Sequence, residues 1–453
     1  MSTQSSSSNA KNARMNVLWV FGDQHRAQAL SIHGDPNLHT PNLDRFASEG
    51  VDVRGAHSGF PLCCPARGTL LTGLLPHRCI PGHEHPMPDG QQTIAHHLEA
   101  AGYETAWFGK WHVDGFKEAE GRAAFHTVPR ERRGGFRTWI GYENNNSQWD
   151  CWVHGHDAKG KEVPHYRLGG FETDVLTDML IDFLQAHSEG TEDPFFAALS
   201  VQPPHDPYTA PETWMQRHSP ADIELRPNVP AVPRIEEQAR RELSGYCAMI
   251  ENLDWNFGRI RTALEKTGLA KNTLIVFFSD HGDMHGSHGC FRKLSPWEES
   301  IRIPMILGGG TPFYENRQGV AEHLMGLQDL LPTTLGLCGI DTVEGIDGKD
   351  FSGLLRKDRP LPEAPESAYL QSVIPTGHEN SVCRPWRGIL TQDGWKFVCF
   401  EDKPWLMFNL HEDPYEQVNL AHESRYEAQR TRLLEALRKW VSDTGDNFSL
   451  DTL

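Results

Sequence analysis

Asn272-Thr273-Leu274-Ile275-Val276-Phe277-Phe278-Ser279-Asp280-His281-Gly282-Asp283 is the stretch on which the fold turns. Its first part is rich in β-branched and aromatic residues and lacks polar alternation, as expected of a strand buried on both faces of a helix-covered parallel sheet. The run stops abruptly in a cluster of two carboxylates and an imidazole. In open α/β sheets that carboxyl edge of the strands is where ligands gather. The same pattern recurs three times upstream. Residues 16–21 run into Gly22-Asp23-Gln24-His25-Arg26, and residues 103–108 into Gly109-Lys110-Trp111-His112. Residues 195–201 end in Gln202-Pro203-Pro204-His205-Asp206-Pro207-Tyr208. Strand alternation puts Lys110 and His112 on one side, and prolines on both sides hold His205 in a stiff turn. Four strand ends, carrying Asp23/Gln24, Lys110/His112, His205 and Asp280/His281, therefore converge on one edge of a doubly wound sheet.

The intervals read as helices. Residues 39–50 form a Pro-started amphipathic helix closed by Gly50, and residues 93–101 one stopped by Gly102. Further helical periods cover residues 172–187, 236–264 and 324–338. Residues 117–170, rich in Arg, Gly, Asn, Trp and His, read as a long insertion over the site, suited to a sugar-like or aromatic group. From about residue 375 come strand-like pieces at 387–390, 396–400 and 405–410, then a helix near 424–442. The expected organisation is a disordered tail (1–14), a catalytic domain (15–374) and a small C-terminal subdomain (375–453).

A helix-start loop brings a reactive residue to this edge: Cys63-Cys64-Pro65-Ala66-Arg67-Gly68-Thr69-Leu70-Leu71-Thr72-Gly73. A cysteine two residues before a proline and four before an arginine is expected to be half-exposed by the Pro turn and to face a fixed cation, which favours an anionic form. Over the whole chain Lys plus Arg is 43 against Asp plus Glu 61, a formal charge of −18. That argues against nucleic acid or an anionic membrane as partner, so any anion site must be local. Nine cysteines without paired short spacings predict reduced thiols and a cytoplasmic setting. Residues 1–14 have no apolar core, and the run 17–21 is too short for a signal segment or a membrane span, so the protein is expected to be soluble and unexported.

Taken in order, Asp-Gln-His-Arg at 23–26, Thr-Pro-Asn-Leu-Asp at 40–44, Cys63-x-Pro-Ala-Arg67, Gly-Lys-Trp-His at 109–112, Pro-Pro-His-Asp-Pro at 203–207 and Ser-Asp-His-Gly-Asp at 279–283 resemble the sulfatases of the alkaline phosphatase superfamily. Lys293 ahead of Glu298-Glu299-Ser300-Ile301-Arg302-Ile303-Pro304, and the terminal Phe408-Asn409-Leu410-His411-Glu412-Asp413-Pro414, extend the likeness over nearly the full chain. The resemblance implies an α/β fold of alkaline-phosphatase type, a large mixed sheet flanked by helices with a smaller C-terminal α+β subdomain. It implies that Cys63 is oxidised by a formylglycine-generating enzyme to Cα-formylglycine. Asp23, Gln24, the oxygen on residue 63, Asp280 and His281 would hold a divalent metal, calcium by family habit. Gln24, where many sulfatases have a second Asp, and the nitrogen of His281 suit Mg²⁺ or Mn²⁺ at least as well.

The implied activity is that of a sulfuric ester hydrolase acting on a sulfated carbohydrate or small organic sulfate. One hydroxyl of the hydrated formylglycine would attack sulfur in line with the leaving alcohol. Arg67 would hold the hydrate and Lys110 would bridge it to the sulfate, with Lys110, Lys293 and the metal stabilising charge. His205, helped by Lys293, would protonate the leaving oxygen, and His112 would take the proton of the second hydroxyl to expel sulfate. The alternative is a phosphonate or phosphate mono- or diester hydrolase using the same nucleophile. A non-catalytic binding protein with an unmodified thiol is a third reading, and the intact Lys110, His112, His205 and Lys293 argue against it.

Overall fold

The computed structural model describes residues 14–191, 193–310, 318–341, 343–377 and 382–453. In chain order the elements are β1 (Asn16–Asp23), α1 (Pro41–Glu49), β2 (Val51–Val53), α2 (Cys63–Thr72), α3 (Ile94–Ala100), β3 (Glu104–Lys110), β4 (Thr138–Tyr142), β5 (Trp152–His156) and β6 (Glu162–Arg167). There follow α4 (Glu172–Gly190), β7 (Phe195–Pro204), α5 (Glu212–Met215), α6 (Pro233–Lys266), β8 (Thr273–Ser279), α7 (Glu298–Ile301), β9 (Met305–Gly308), β10 (Gly319–Ala321) and α8 (Leu330–Leu337). The chain closes with β11 (Ser367–Ser372), β12 (Trp386–Thr391), β13 (Trp395–Phe400), β14 (Lys403–Asn409) and α9 (Glu427–Thr444).

Local chemistry explains where the helices begin and stop. Pro41 opens α1, where its missing N–H goes unneeded. Thr93 and His96 cap each other's backbone at the start of α3. Gly73 ends α2 in a left-handed turn, φ 70°, with its N–H bonded to the Thr69 carbonyl.

Ten strands form one mixed sheet in the order β10-β2-β9-β8-β1-β7-β3-β4-β5-β6. β8, β1, β7, β3 and β4 are mutually parallel, and antiparallel pairings appear only toward the margins. Strand alternation divides β1 between two cores: Val17, Trp19 and Phe21 pack with Leu70 of α2, Leu98 of α3 and Leu335 of α8, whereas Leu18 and Val20 pack with Phe46 of α1, Leu180 of α4 and Phe257 of α6. Every residue of β1, β7 and β8 is buried, which is why these segments read as continuous apolar runs.

Three expectations change. Residues 117–170, expected as an insertion without strands of its own, extend the main sheet: β4 pairs in parallel with β3, and β5 and β6 add antiparallel strands beyond it. Their buried His154 and His156 masked the apolar pattern. The helix expected from residue 324 begins only at Leu330, after a tight turn over Leu327–Asp329 in which the Asp329 carboxylate accepts the Gly326 N–H at 2.8 Å. The C-terminal sheet, β11-β12-β13-β14, takes its first strand from ahead of residue 375. One face of that sheet packs on α9 through Ile389, Phe397, Met407 and Leu433, and the other presents Leu370, Val398 and Leu406 to Ile301 and Leu324. Residues 1–13 of the expected tail lie outside the described residues. No helix among the described residues is long and apolar enough to cross a membrane.

Candidate active site

Because β8, β1, β7 and β3 are adjacent and parallel, their carboxyl ends deliver Asp280, Asp23, His205 and Lys110 side by side, and α2 starts beneath them with Cys63. Cys63 is 3% exposed, against the half-exposure expected of it. The Pro turn does not lift it out, because all ten residues of α2 are buried and Lys293, His281 and Asp23 close over the sulfur.

Cys63 Sγ lies 3.5 Å from Asp23 Oδ1 and 3.2 Å from His281 Nε2. His281 Nε2 is 3.5 Å from Asp23 Oδ1 and 3.8 Å from Asp280 Oδ1. Ligands set at right angles around one calcium, with bonds of about 2.3–2.6 Å, stand about 3.3–3.7 Å apart. The four side chains therefore fit a single divalent ion, with two carboxylates to neutralise it. His281 Nδ1 donates to the Gly282 carbonyl at 3.0 Å, which fixes the tautomer and leaves the Nε2 lone pair facing the cluster. Burial holds the His281 imidazole below its ordinary range, so it is neutral, as a ligand must be.

Gln24 follows β1 with φ 71°, a left-handed conformation that a non-glycine residue adopts at some cost, as functional sites often demand. Its backbone N–H donates to Asp280 Oδ1 at 3.0 Å. Its amide nitrogen donates to Asp283 Oδ2 at 2.5 Å, so Oε1, the atom a ligand role requires, is turned inward and accepts from Lys293 at 2.7 Å. Asp283 and Tyr208, whose hydroxyl also donates to Asp283 Oδ2, are the positioning residues that sequence reasoning missed. Both stood in motifs already singled out, and only the fold shows that they face Gln24.

Arg67 lies one helical turn beyond Cys63 and is fully buried. It donates to the Lys110 carbonyl and Ser200 Oγ, both at 2.8 Å, and its charge faces Asp23 Oδ2 at 3.2 Å and Asp280 Oδ2 at 3.3 Å. Arg67 thus orients the carboxylates, and its hydrogen bonds go to these partners rather than to the Cys63 thiol. Lys110 Nζ sits 2.7 Å from Asp23 Oδ2. Burial pushes the Asp23 carboxyl upward, yet Lys110, His205, Arg67 and Lys293 together hold it well below the usual carboxylate range.

Lys293 Nζ is 3.2 Å from Cys63 Sγ and 2.9 Å from His205 Nε2. Burial acts to discharge it, but the facing Cys63, Asp23, Asp206 and Asp280 overcome this and keep the ammonium charged. His205 Nδ1 donates to the Asp206 carbonyl at 2.7 Å, which leaves Nε2 for Lys293. The segment between β4 and β5 braces this turn, Gln148 donating to the His205 carbonyl at 2.7 Å. His112 lies beyond the end of β3 with φ 56°, so a left-handed turn and not strand alternation directs it. It is buried, and burial and Lys110 keep its imidazole neutral. The residues singled out from the sequence thus gather around Cys63, where buried cations surround a cluster of side chains able to hold a divalent metal.

The chain is similar to known proteins over nearly its whole length. A family model described as Sulfatase matches residues 15–340, and one described as N-sulphoglucosamine sulphohydrolase, C-terminal, matches residues 286–443. An ulvan-active sulfatase of Formosa agariphila is 33% identical over 442 residues, covering 96% of this chain and 82% of that protein. An endo-4-O-sulfatase of Bacteroides thetaiotaomicron is 30% identical over 461 residues, covering 89% and 87% respectively. A solved sulfatase structure associated with glycosaminoglycan metabolism by Bacteroides thetaiotaomicron superposes with a TM-score of 0.82 at 26% identity, over 96% of this chain and 97% of that one. The family match and the pocket around Cys63 concern the same residues, and the chain belongs to the sulfatase family of the alkaline phosphatase superfamily.

Proposed function

We propose that this sulfatase hydrolyses a sulfate ester on a saccharide, with Cys63 carried as Cα-formylglycine installed by a formylglycine-generating enzyme and with calcium held by Asp23, Gln24, residue 63, Asp280 and His281. Relatives named for ulvan and for a 4-O position, and one linked to glycosaminoglycans, support a saccharide substrate. The observation that carries the reading is Lys293, whose Nζ touches both Cys63 Sγ and His205 Nε2 and so joins the nucleophile position to the leaving-group position.

A calcium ion there supplies Lewis acidity and charge neutralisation. Residue 63, as hydrated formylglycine, would supply a nucleophilic hydroxyl and a second hydroxyl on the same carbon. The chain's own groups do the rest. Lys110 and Lys293 are fixed cations for the sulfate oxygens, held in a buried pocket where they need no reorganisation as the reaction proceeds. His205 Nε2 takes a proton from the Lys293 ammonium and passes it to the leaving alcohol. His112, neutral and buried, accepts the proton of the releasing hydroxyl. Arg67 keeps Asp23 and Asp280 in place, and Asp283 keeps Gln24 turned inward. A cytoplasmic setting is proposed as well, supported by nine cysteines that are all unpaired.

Assay of converted protein against sulfated saccharides, aryl sulfates, phosphate esters and phosphonate esters tests the reading. Sulfated saccharides are expected to be turned over fastest. Faster turnover of phosphonate or phosphate esters would move the assignment to the alternative activity, and full activity with an intact Cys63 thiol in the peptide mass spectrum would overturn the mechanism.

A further inference from the structure

Beside the catalytic pocket lies a second set of donors, two of which the chemistry above leaves unused. Cys64 is on the first turn of α2, His83 on the loop that follows it, and His112 on the turn after β3. One ligand-capable atom of each lies within 4.8 Å of the other two. The Cys64 thiol is 1% exposed, and its sulfur is 4.0 Å from His83 Nδ1. His112 is 5% exposed, and its Nδ1 is buried without a hydrogen-bond partner. Native interiors seldom leave a buried polar nitrogen unpaired without a reason.

Donor type points to a cation. Glu143 is buried beside this group, within electrostatic reach of Cys64. One of its oxygens accepts the N–H groups of Asp114 and Gly115, both at 2.9 Å, while Oε2 has no hydrogen-bond partner. Glu84 stands 3.5 Å from His83 Nε2. Lys110, Lys293 and Arg67 face the two imidazoles as well, so these carboxylates balance the local charge only in part. Unlike the cluster of Asp23 and Asp280, which offers hard oxygen, this one offers a sulfur and two imidazole nitrogens, the donors that zinc-like ions prefer.

We propose that Cys64, His83 and His112 form a second metal site, which takes a borderline divalent ion of the zinc class and inhibits the enzyme by engaging the imidazole of His112. Three protein ligands leave a fourth position for water. On binding, the Cys64 proton passes to solvent and the imidazoles coordinate through unprotonated nitrogens. The inhibition rests on the role given above to His112; the binding does not.

The test uses the converted, calcium-loaded enzyme titrated with Co²⁺ and then Zn²⁺. One additional equivalent of cobalt is expected to bind with a thiolate-to-cobalt charge-transfer band, which zinc abolishes as it displaces the cobalt. Zinc should inhibit, reversibly on chelation followed by calcium readdition. The band should survive Cys63→Ser and vanish in Cys64→Ser, whose activity without zinc stays near that of the wild type. Cys64→Ser and His83→Ala should each raise the zinc concentration for half-inhibition at least about 10-fold. A band that persists in Cys64→Ser, zinc inhibition unchanged in both variants, or cobalt bound with its band and full activity would each overturn the proposal. The role of His112 is checked separately, without zinc, by the product burst of His112→Ala.

Discussion

Lys293 shows how far a single residue could be read from the sequence. Its place ahead of the Glu298-Glu299-Ser300 motif marked it, but only the fold brings its ammonium to Cys63 and His205 at once, because the three come from different elements far apart in the chain. Asp23, Lys110, His205 and Asp280 were legible for a simpler reason: each terminates an apolar run, and parallel strands align their ends. Arg67 was legible as a partner of this site, though its bonds go to the carboxylates rather than to residue 63. The two histidines should separate kinetically. If the proton for the leaving oxygen sits at His205, His205→Ala should slow sulfated sugar alcohols by about 10²–10⁴-fold and acidic phenol sulfates far less, as a leaving-group series will measure. His112→Ala should instead release about one equivalent of alcohol per active site and then stall with sulfate retained on the protein, seen as a burst in rapid-quench assays. Equal steady-state losses on every substrate, without a burst, would mean that the two roles are misassigned.

Among the elements, the strands of the central sheet were predictable because burial on both faces removes any polar alternation that might confuse the reading. β4, β5 and β6 were not, since short strands carrying buried histidines and glycines resemble loop sequence. The turn before α8 was also hidden, because its geometry depends on one carboxylate. Asp329 caps that turn and accepts the N–H groups of Gly326 at 2.8 Å and Lys349 at 2.7 Å, and burial pushes its carboxyl up to about 7. The unfolded chain would release this proton near pH 3.9. Between those values the folded protein holds a proton that the unfolded chain has lost, so this group's contribution is complete on the acid side and is lost as pH rises toward 7, by about 1.4 kcal/mol per unit. Asp329→Asn cannot titrate and keeps an acceptor oxygen. Its stability relative to the wild type should rise by about 1–3 kcal/mol between about pH 5 and about pH 7, read from urea denaturation at both. An offset that does not change with pH would show that Asp329 is already ionised in the fold.

For the molecule as a whole, the C-terminal sheet is more than an appendage. Lys396 of β13 is buried and bridges Glu298 at 2.6 Å and Glu416 at 2.7 Å. Glu298 begins α7, whose Ser300 carbonyl accepts the Gly282 N–H at 2.8 Å, and a Cβ at Gly282 would come within 2.0 Å of the Glu299 carbonyl oxygen. The small sheet thus bears on the loop that carries Asp280 and His281. Lys396→Met would leave the buried Glu416 without its cation and Glu298 with Arg302 alone, and should cost about 3–5 kcal/mol, measured by chemical denaturation. If that pressure reaches the loop, affinity for a divalent metal should fall with it. The burial of α2 has a different kind of consequence, one of timing. The modifying enzyme proposed above would have to take residue 63 into its own active site, and the finished fold keeps that residue covered. On that proposal conversion and folding would compete during synthesis, and a chain that folds first would keep its thiol. The active fraction of a preparation records which was faster, so slower synthesis or cooler growth should raise it while later treatment should not. Formylglycine-generating enzyme added to folded, unconverted protein should leave it inactive, whereas the same enzyme given the unfolded chain before refolding should produce activity.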